Sequence, residues 1–338
     1  ALLSATSGQI QIEITDTLTD AQSVKVTASL DTDSGFAISA PVSGAYDTLI
    51  GLTGNIIMSV TNAITVEQFN NLDAKTTQNI TLAGGIQDEP VNLSDTSGSL
   101  TTGFTNIIAQ DSDVNVTLTG GVAPNNAQLN AIINASGYTG EVTHSGTYTI
   151  TTTAANLAGA DEQFTMTNGT LNITGYTNQD ISDVARTGGD INITTADGAT
   201  IDSSKLPSSL GSGSITIGAG TATLSSNILA AYCSFSVSAG ATLTGTAAIL
   251  TEVTASGAGT TAVTALQGDT NTDLSNLTTT TVTANYASGD NTMTDANFGK
   301  AVITVAGGNM TIGNATLGTA TFSVSSGAPL TGTAATLS

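Results

Sequence analysis

The chain has 338 residues, only 9% charged and 4% aromatic, with no Trp and 37 Gly, so a thick globular core is excluded for want of large side chains and a thin, layered one remains. At 39% hydrophobic, with Ile, Val and Leu recurring at short intervals, it is not disordered by composition either. Twenty-six acids against five bases, a formal charge of −21, leave no basic stripe to displace counterions from phosphates, which excludes nucleic acid as a partner.

In chain order, GQIQIEITDT at 8–17 alternates Ile10, Ile12 and Ile14 with polar residues and predicts a strand, with SVKVTASL at 23–30 as its neighbour. Residues 1–60 read as a strand-rich N-terminal segment. Residues 61–338 read as one repetitive body with a seam near 86–113, where the acid-rich IQDEPVNLSDTSGS breaks the rhythm. No apolar run reaches the roughly 18 residues of a membrane span, so none is expected. The opening ALLSATSG has neither a basic start nor a cleavage pattern, so the sequence reads as already processed or as a piece of something longer. A single cysteine, Cys233, excludes an internal disulfide framework, and its apolar setting ILAAYCSFSV predicts a buried thiol.

Self-similarity dominates the rest. A hexad of apolar residue, Thr or Ser, apolar residue, two variable residues and Gly appears as ITLAGG (80–85), VTLTGG (116–121), FTMTNG (164–169), ITIGAG (215–220), FSVSAG (235–240), ITVAGG (303–308) and FSVSSG (322–327). Each reads as an alternating strand closed by a turn glycine. In the second half the apolar starts fall at Ile215, Phe235, Val253, Val282, Ile303 and Phe322, in steps of 20, 18, 29, 21 and 19 residues. Such spacing predicts a mainly β fold, a β-solenoid of the β-helix kind with coils of about 20 residues.

Between the hexads lies a second element, seen in ITVEQFNNL (64–72), YTITTTAANL (148–157), ATLTGTAAIL (241–250), MTDANF (293–298) and APLTGTAATL (328–337). It predicts a short strand, then a Thr, Ser or Asp capping a single helical turn whose Ala, Leu or Phe tucks inward. Stacked coils place equivalent residues about 4.8 Å apart, so inward Val, Ile and Leu form apolar ladders and outward Thr and Ser form hydroxyl rows.

Chemistry is sparse. The one histidine, His144 in EVTHSGTY, reads as a solvated loop residue, and the one arginine, Arg186, flanked by Asp183 and Asp190, as a surface ion-pair neighbour. No carboxylate pair is singled out for glycoside hydrolysis, and the chain is not expected to be an enzyme. Three acidic clusters set oxygen ligands at alternate positions, as a hard cation needs: Asp31 and Asp33 in DTDSG, Asp111 and Asp113 in DSDVN, and Asp269, Asn271 and Asp273 in DTNTD. They are the candidate metal ligands, with Ca²⁺ as the cofactor they suggest. Gly35 comes one place too early for a helix-loop-helix calcium loop, and the glycine-rich calcium nonapeptide is missing.

Units such as ATLTGTAAIL, YTITTTAANLAG and ITVEQFNNLDAKTT resemble repeats of large secreted bacterial surface proteins, including cyanobacterial ones and Thr- and Ala-rich surface-layer or adhesin chains. The resemblance runs from about residue 60 onward and implies an extracellular or cell-surface assembly role, often with calcium. FSVSAGATLTGTAAIL (235–250) also returns as FSVSSGAPLTGTAATL (322–337) with thirteen of sixteen positions identical, and the second copy is followed by a single serine. A stack ending so presents an open edge, and the alternating segment from Gln9 to Thr15 is a natural donor strand for it. The expected function is thus a secreted, self-assembling structural protein, a filament, sheath or surface-layer subunit that joins copies of itself head to tail. Two alternatives are a calcium-dependent adhesin segment meeting a cell-surface glycan and a polysaccharide-active β-helix enzyme.

Overall fold

The computed structural model describes residues 10–11, 36–40, 56–60, 62–74, 76, 78–158, 164–225, 234–266, 272–286 and 289–332. They form a mainly β structure in which parallel strands stack as the coils of a β-solenoid, with short helices set into the coils. The chain divides into two compact units, Ala1–Thr152 with Gly159–Thr170, and Thr153–Ala158 with Leu171–Ser338.

In the second unit the predicted ladders are present. Ile193 faces Ile215, Ile215 faces Phe235 and Phe235 faces Ala255, all in parallel register and all buried. The alternate positions Thr216, Ser236 and Ser256 turn outward. Each large side chain so buried contributes about 1.5–3 kcal/mol. Alongside runs a sheet of Ala199–Ile201, Thr221–Leu224, Thr242–Gly245, Thr260–Val263, Thr281–Tyr286, Val302–Val305 and Thr321–Val324, and further along the chain a third of Asp290–Met293, Asn309–Ile312 and Leu330–Gly332.

The 29-residue step in the hexad series marks a change of face. Strand Ser234–Val237 pairs with Ile215–Ile217 and Thr254–Ser256, yet the hexad at 282 does not continue that sheet. Val282 instead faces Thr261, and the hexads at 303 and 322 follow it, Ala284 facing Ile303 and Ile303 facing Phe322. The original face passes through a single bridge, Ala255 to Leu277. The two near-identical copies therefore lie in different sheets while keeping one local geometry. Gly240 and Gly327 have φ of 79° and 83°, and the turn bonds Ala241 N–H to Ser238 O and Ala328 N–H to Ser325 O measure 3.0 and 3.1 Å.

In the first unit Ile10–Gln11, Phe36–Ala40, Ile56–Val60 and Ile80–Thr81 form a parallel sheet. Ile10 pairs with Phe36, whereas Ile12, Ile14, the predicted neighbour 23–30 and Cys233 lie outside the described residues. A second ladder joins Ile86 to Val116, Val116 to Val142 and Val142 to Phe164, steps of 30, 26 and 22 residues. The coils between the first three strands are longer because they hold the helices Pro90–Leu93, Thr102–Gln110 and Asn126–Ile133.

Three of the predicted capped turns form, and the helical turn of APLTGTAATL, at 333–337, lies outside the described residues. Thr65 caps Val66–Asp73 through Gln68 N–H (3.2 Å), Gln68 Oε1 accepts from Thr65 N–H in return (2.9 Å), and Phe69 and Leu72 are buried. Thr246 caps Ala247–Leu250, burying Ala247 and Leu250, and Thr153 serves Ala154–Ala158 through Asn156 N–H. MTDANF differs, since after strand Asp290–Met293 the chain turns through Asp295 at φ 56° and buries Phe298 without a helix.

Gly240 and Gly257 separate the two demands that stacking makes on glycine. Around Gly240 nothing lies within 4 Å of a built Cβ, so Gly240→Ala meets only left-handed backbone strain, about 1–2 kcal/mol. At Gly257, φ is 112° and a Cβ would fall on the Val237 carbonyl oxygen of the adjacent coil. Gly257→Ala is expected to cost about 3 kcal/mol or more, measured by urea denaturation beside Gly240→Ala. Equal losses for the two would refute the close-approach account.

Candidate functional site

Of the predicted metal ligands, Asp31, Asp33, Asp269 and Asn271 lie outside the described residues, leaving Asp111, Asp113 and Asp273. Asp273 turns its carboxylate onto Ser275 N–H (2.9 Å), a local turn bond, and bridges Asn297 through its backbone. Asp111 and Asp113 come together at one edge of the first unit. They line a cleft of about 210 Å³ between residues 81–85 and 111–115.

Helix Thr102–Gln110 sets this geometry. Thr101 caps its start at Phe104 N–H, buried Phe104 and Ile107 anchor it, and Asp111 ends it with an N–H to Ile107 O bond of 2.8 Å. From there Asp111 Oδ2 accepts Leu82 N–H at 2.5 Å and Gln110 Oε1 accepts Ile80 N–H at 3.0 Å, so both side chains close the edge of strand Ile80–Thr81. Gln110 Nε2 also donates to Asp73. Burial raises the Asp111 carboxyl above its ordinary range, the neighbouring Asp113 pushes the same way, and the Leu82 N–H opposes both. A hard cation takes six to eight oxygens, and this cleft gathers two carboxylates. Among the described residues no three of His, Cys, Asp and Glu converge as a metal-holding group.

Arg186 is held by its own turn and by Ser209. Its Nε and Nη2 donate to Gly189 O at 2.9 and 2.6 Å, and Nη1 donates to Ser209 Oγ at 3.3 Å, so the guanidinium ties its own turn to the next coil.

His144 is the residue that sequence reasoning placed wrongly. It ends strand Val142–His144 facing inward, with 0% of its surface exposed. In register it stands between Leu118 and Met166, the third positions of VTLTGG and FTMTNG. The signal was present, because EVTHSG repeats the apolar–Thr–x core of those hexads with His in an inward slot. Its ring lies 4.6 Å from that of Tyr148, tilted by 52°; among the described residues neither ring nitrogen makes a well-formed hydrogen bond, the backbone of Tyr148 and Gly146 exerting only a weak pull on the ring. Among the described residues no nucleophilic or carboxylate side chain hydrogen-bonds the ring.

Comparison with protein-family models, with curated proteins and with solved structures finds no match to this chain. No helix among the described residues is long and apolar enough to cross a membrane.

If Asp113 contributes to the Asp111 shift, Asp113→Asn should bring the Asp111 carboxyl down toward its ordinary 3.8. Carbon-detected NMR titration reads this directly, and an unchanged Asp111 midpoint would leave burial as the sole cause.

Proposed function

We propose that this chain is a secreted structural protein that assembles with copies of itself, the stacked coils of one molecule continuing into those of the next as a filament, sheath or surface layer. The observation that supports it most directly is the state of the last strand in the seven-stranded sheet. Thr321–Val324 is the outer strand of its sheet, paired to Val302–Val305 on one side. In the preceding strand the inward side chains Ile303 and Val305 are 0% exposed, while the matching Phe322 is half-buried and Val324 is 46% exposed. A flat, parallel edge with apolar side chains half covered recruits another strand.

At the other end of the chain Ile10–Gln11 is also an outer strand, already paired with Phe36 and Ala37 on its inner side. Being outermost among the described strands of its sheet, it enters such a contact as an added rung, not as a strand withdrawn from its own fold. Parallel strands at both positions make the contact head to tail, and a head-to-tail contact that does not close a ring propagates. The outward Thr and Ser rows and the formal charge of −21 suit a surface kept in contact with water, and the resemblance to secreted surface repeats points the same way.

The purified chain should form uniform polymers in negative stain and sediment as species that grow with concentration. Val324→Lys, which sets a charge on the edge, should leave the circular dichroism spectrum unchanged and abolish the polymers. Dispersed single molecules for the unaltered chain, or unimpaired polymers for Val324→Lys, would overturn the proposal.

A further inference from the structure

Among the described residues, four side chains bury a polar atom with no hydrogen-bond partner: His144, Tyr148, Tyr176 and Thr195. Thr195 does not titrate. Burial raises the Tyr148 hydroxyl, with Glu89 adding to the effect, and burial with the charge of Asp202 pushes Tyr176 up to about 12, so both stay neutral wherever the protein is at home. Only His144 can change its charge near neutrality.

We propose that His144 is a pH-sensitive latch: its neutral ring completes an apolar ladder in the first unit, and a proton on that ring opens the coil. The ladder runs Asp88, Leu118, His144, Met166 in parallel register. The strands on either side present Leu118 and Met166 to the ring, neither of which titrates, and its own turn presents Tyr148. Asp88 stands two strands away. Its carboxylate is occupied, Oδ2 by Val66 N–H at 2.8 Å and Oδ1 by Glu89 N–H at 2.8 Å and Asn92 Nδ2 at 2.7 Å, so it is not free to pair with an imidazolium. The charge of Glu89 acts on the Tyr148 hydroxyl, and Glu141, at the head of the histidine's strand, accepts from the half-buried Thr143. Asp161 and Glu162, before strand Phe164–Met166, lie outside the described residues. A buried imidazolium without a counter-charge is expensive, and the ring leaves the ladder before it carries one.

Burial holds the ring's affinity for protons below the ordinary histidine value, against a smaller opposite pull from the backbone of Tyr148 and Gly146. Above about pH 6.5 the folded and unfolded chains both carry a neutral ring, and protonation makes no difference to stability. Below it the unfolded chain takes up the proton and the folded chain does not, so folding weakens roughly tenfold per pH unit until the folded-state value is reached. Asp111 has the opposite sign. Its carboxyl is raised in the folded state, so protonating it on acidification adds stability, and it cannot imitate the histidine.

The chain has one histidine, so its imidazole C–H signals in the NMR spectrum of the full chain need no assignment. They should hold their neutral position through pH 6.5 and down to the acid unfolding transition. In urea denaturation between pH 7 and 5.5 the unaltered chain should lose stability by up to tenfold per unit, and His144→Leu, which repeats Leu118, should remove that slope. Should the leucine variant fail to fold, His144→Gln serves, being neutral at every pH. A ring that titrates at or above 6.5 in the folded chain, or equal slopes for the chain and its variant, would overturn the latch.

Discussion

Everything in this molecule follows from the spacing between coils. Parallel strands about 4.8 Å apart bring each side chain against its equivalent one coil away, so a residue must suit its own copy as well as its own position. Ile193, Ile215, Phe235 and Ala255 satisfy this on the inside, and Thr216, Ser236 and Ser256 on the outside. Turns bear the same constraint more severely, because there backbone meets backbone. Where Gly257 passes the Val237 carbonyl, even a methyl group has no room. A chain rich in Gly, Thr, Ser and Ala and poor in Trp is what such a stack selects.

The constraint also explains how much was legible in the sequence. Repetition is its direct imprint, so the hexads, their turn glycines and the Thr-capped turns at Thr65 and Thr246 could be read without coordinates. The face on which a copy lies could not. FSVSAG and FSVSSG encode one strand and one turn, and that local geometry fits either sheet, so only the residues between them decide which is occupied. Helices Thr102–Gln110 and Asn126–Ile133 were hidden for a related reason: they occur once each, and Asn, Thr and Gly inside them lower helix propensity, with buried Phe104, Ile107, Leu129 and Ile132 supplying the stability. Of the candidate site, the closeness of Asp111 and Asp113 was legible from alternation, whereas their cleft required residues 81–85 from the neighbouring coil.

Polar residues on inward positions are tolerated in two ways within a single ladder. Asp88 is surrounded by donors from the first residue of helix Val66–Asp73 and from its own following turn, and in accepting them it caps that helix from another coil. His144 has no such partners and fits because an uncharged imidazole stacked on Tyr148 behaves as a flat, mostly apolar ring. One is buried as an acceptor with its bonds made, the other as a shape with its bonds forgone.

A repetitive stack carries an inherent danger, since a sequence that matches itself 87 residues later also matches itself in a wrong register. Hydrophobic ladders do little to prevent this, because Ile, Val and Phe exchange places at small cost. The unrepeated polar contacts do prevent it, and some of them lie where the chain changes face. Thr261 and Thr279 meet by their hydroxyls inside the core at 2.9 Å, both within the 29-residue step. Just after it, the fully buried Tyr286 sets its hydroxyl 2.7 Å from Gly289 O and 3.0 Å from Asn309 O, tying two successive coils. A slip of one residue would turn these groups to the opposite face and leave buried oxygens and carbonyls unbonded, about 1–3 kcal/mol for each. In this stack the apolar positions therefore supply most of the stability, and a few singular hydroxyls decide which coil lies on which.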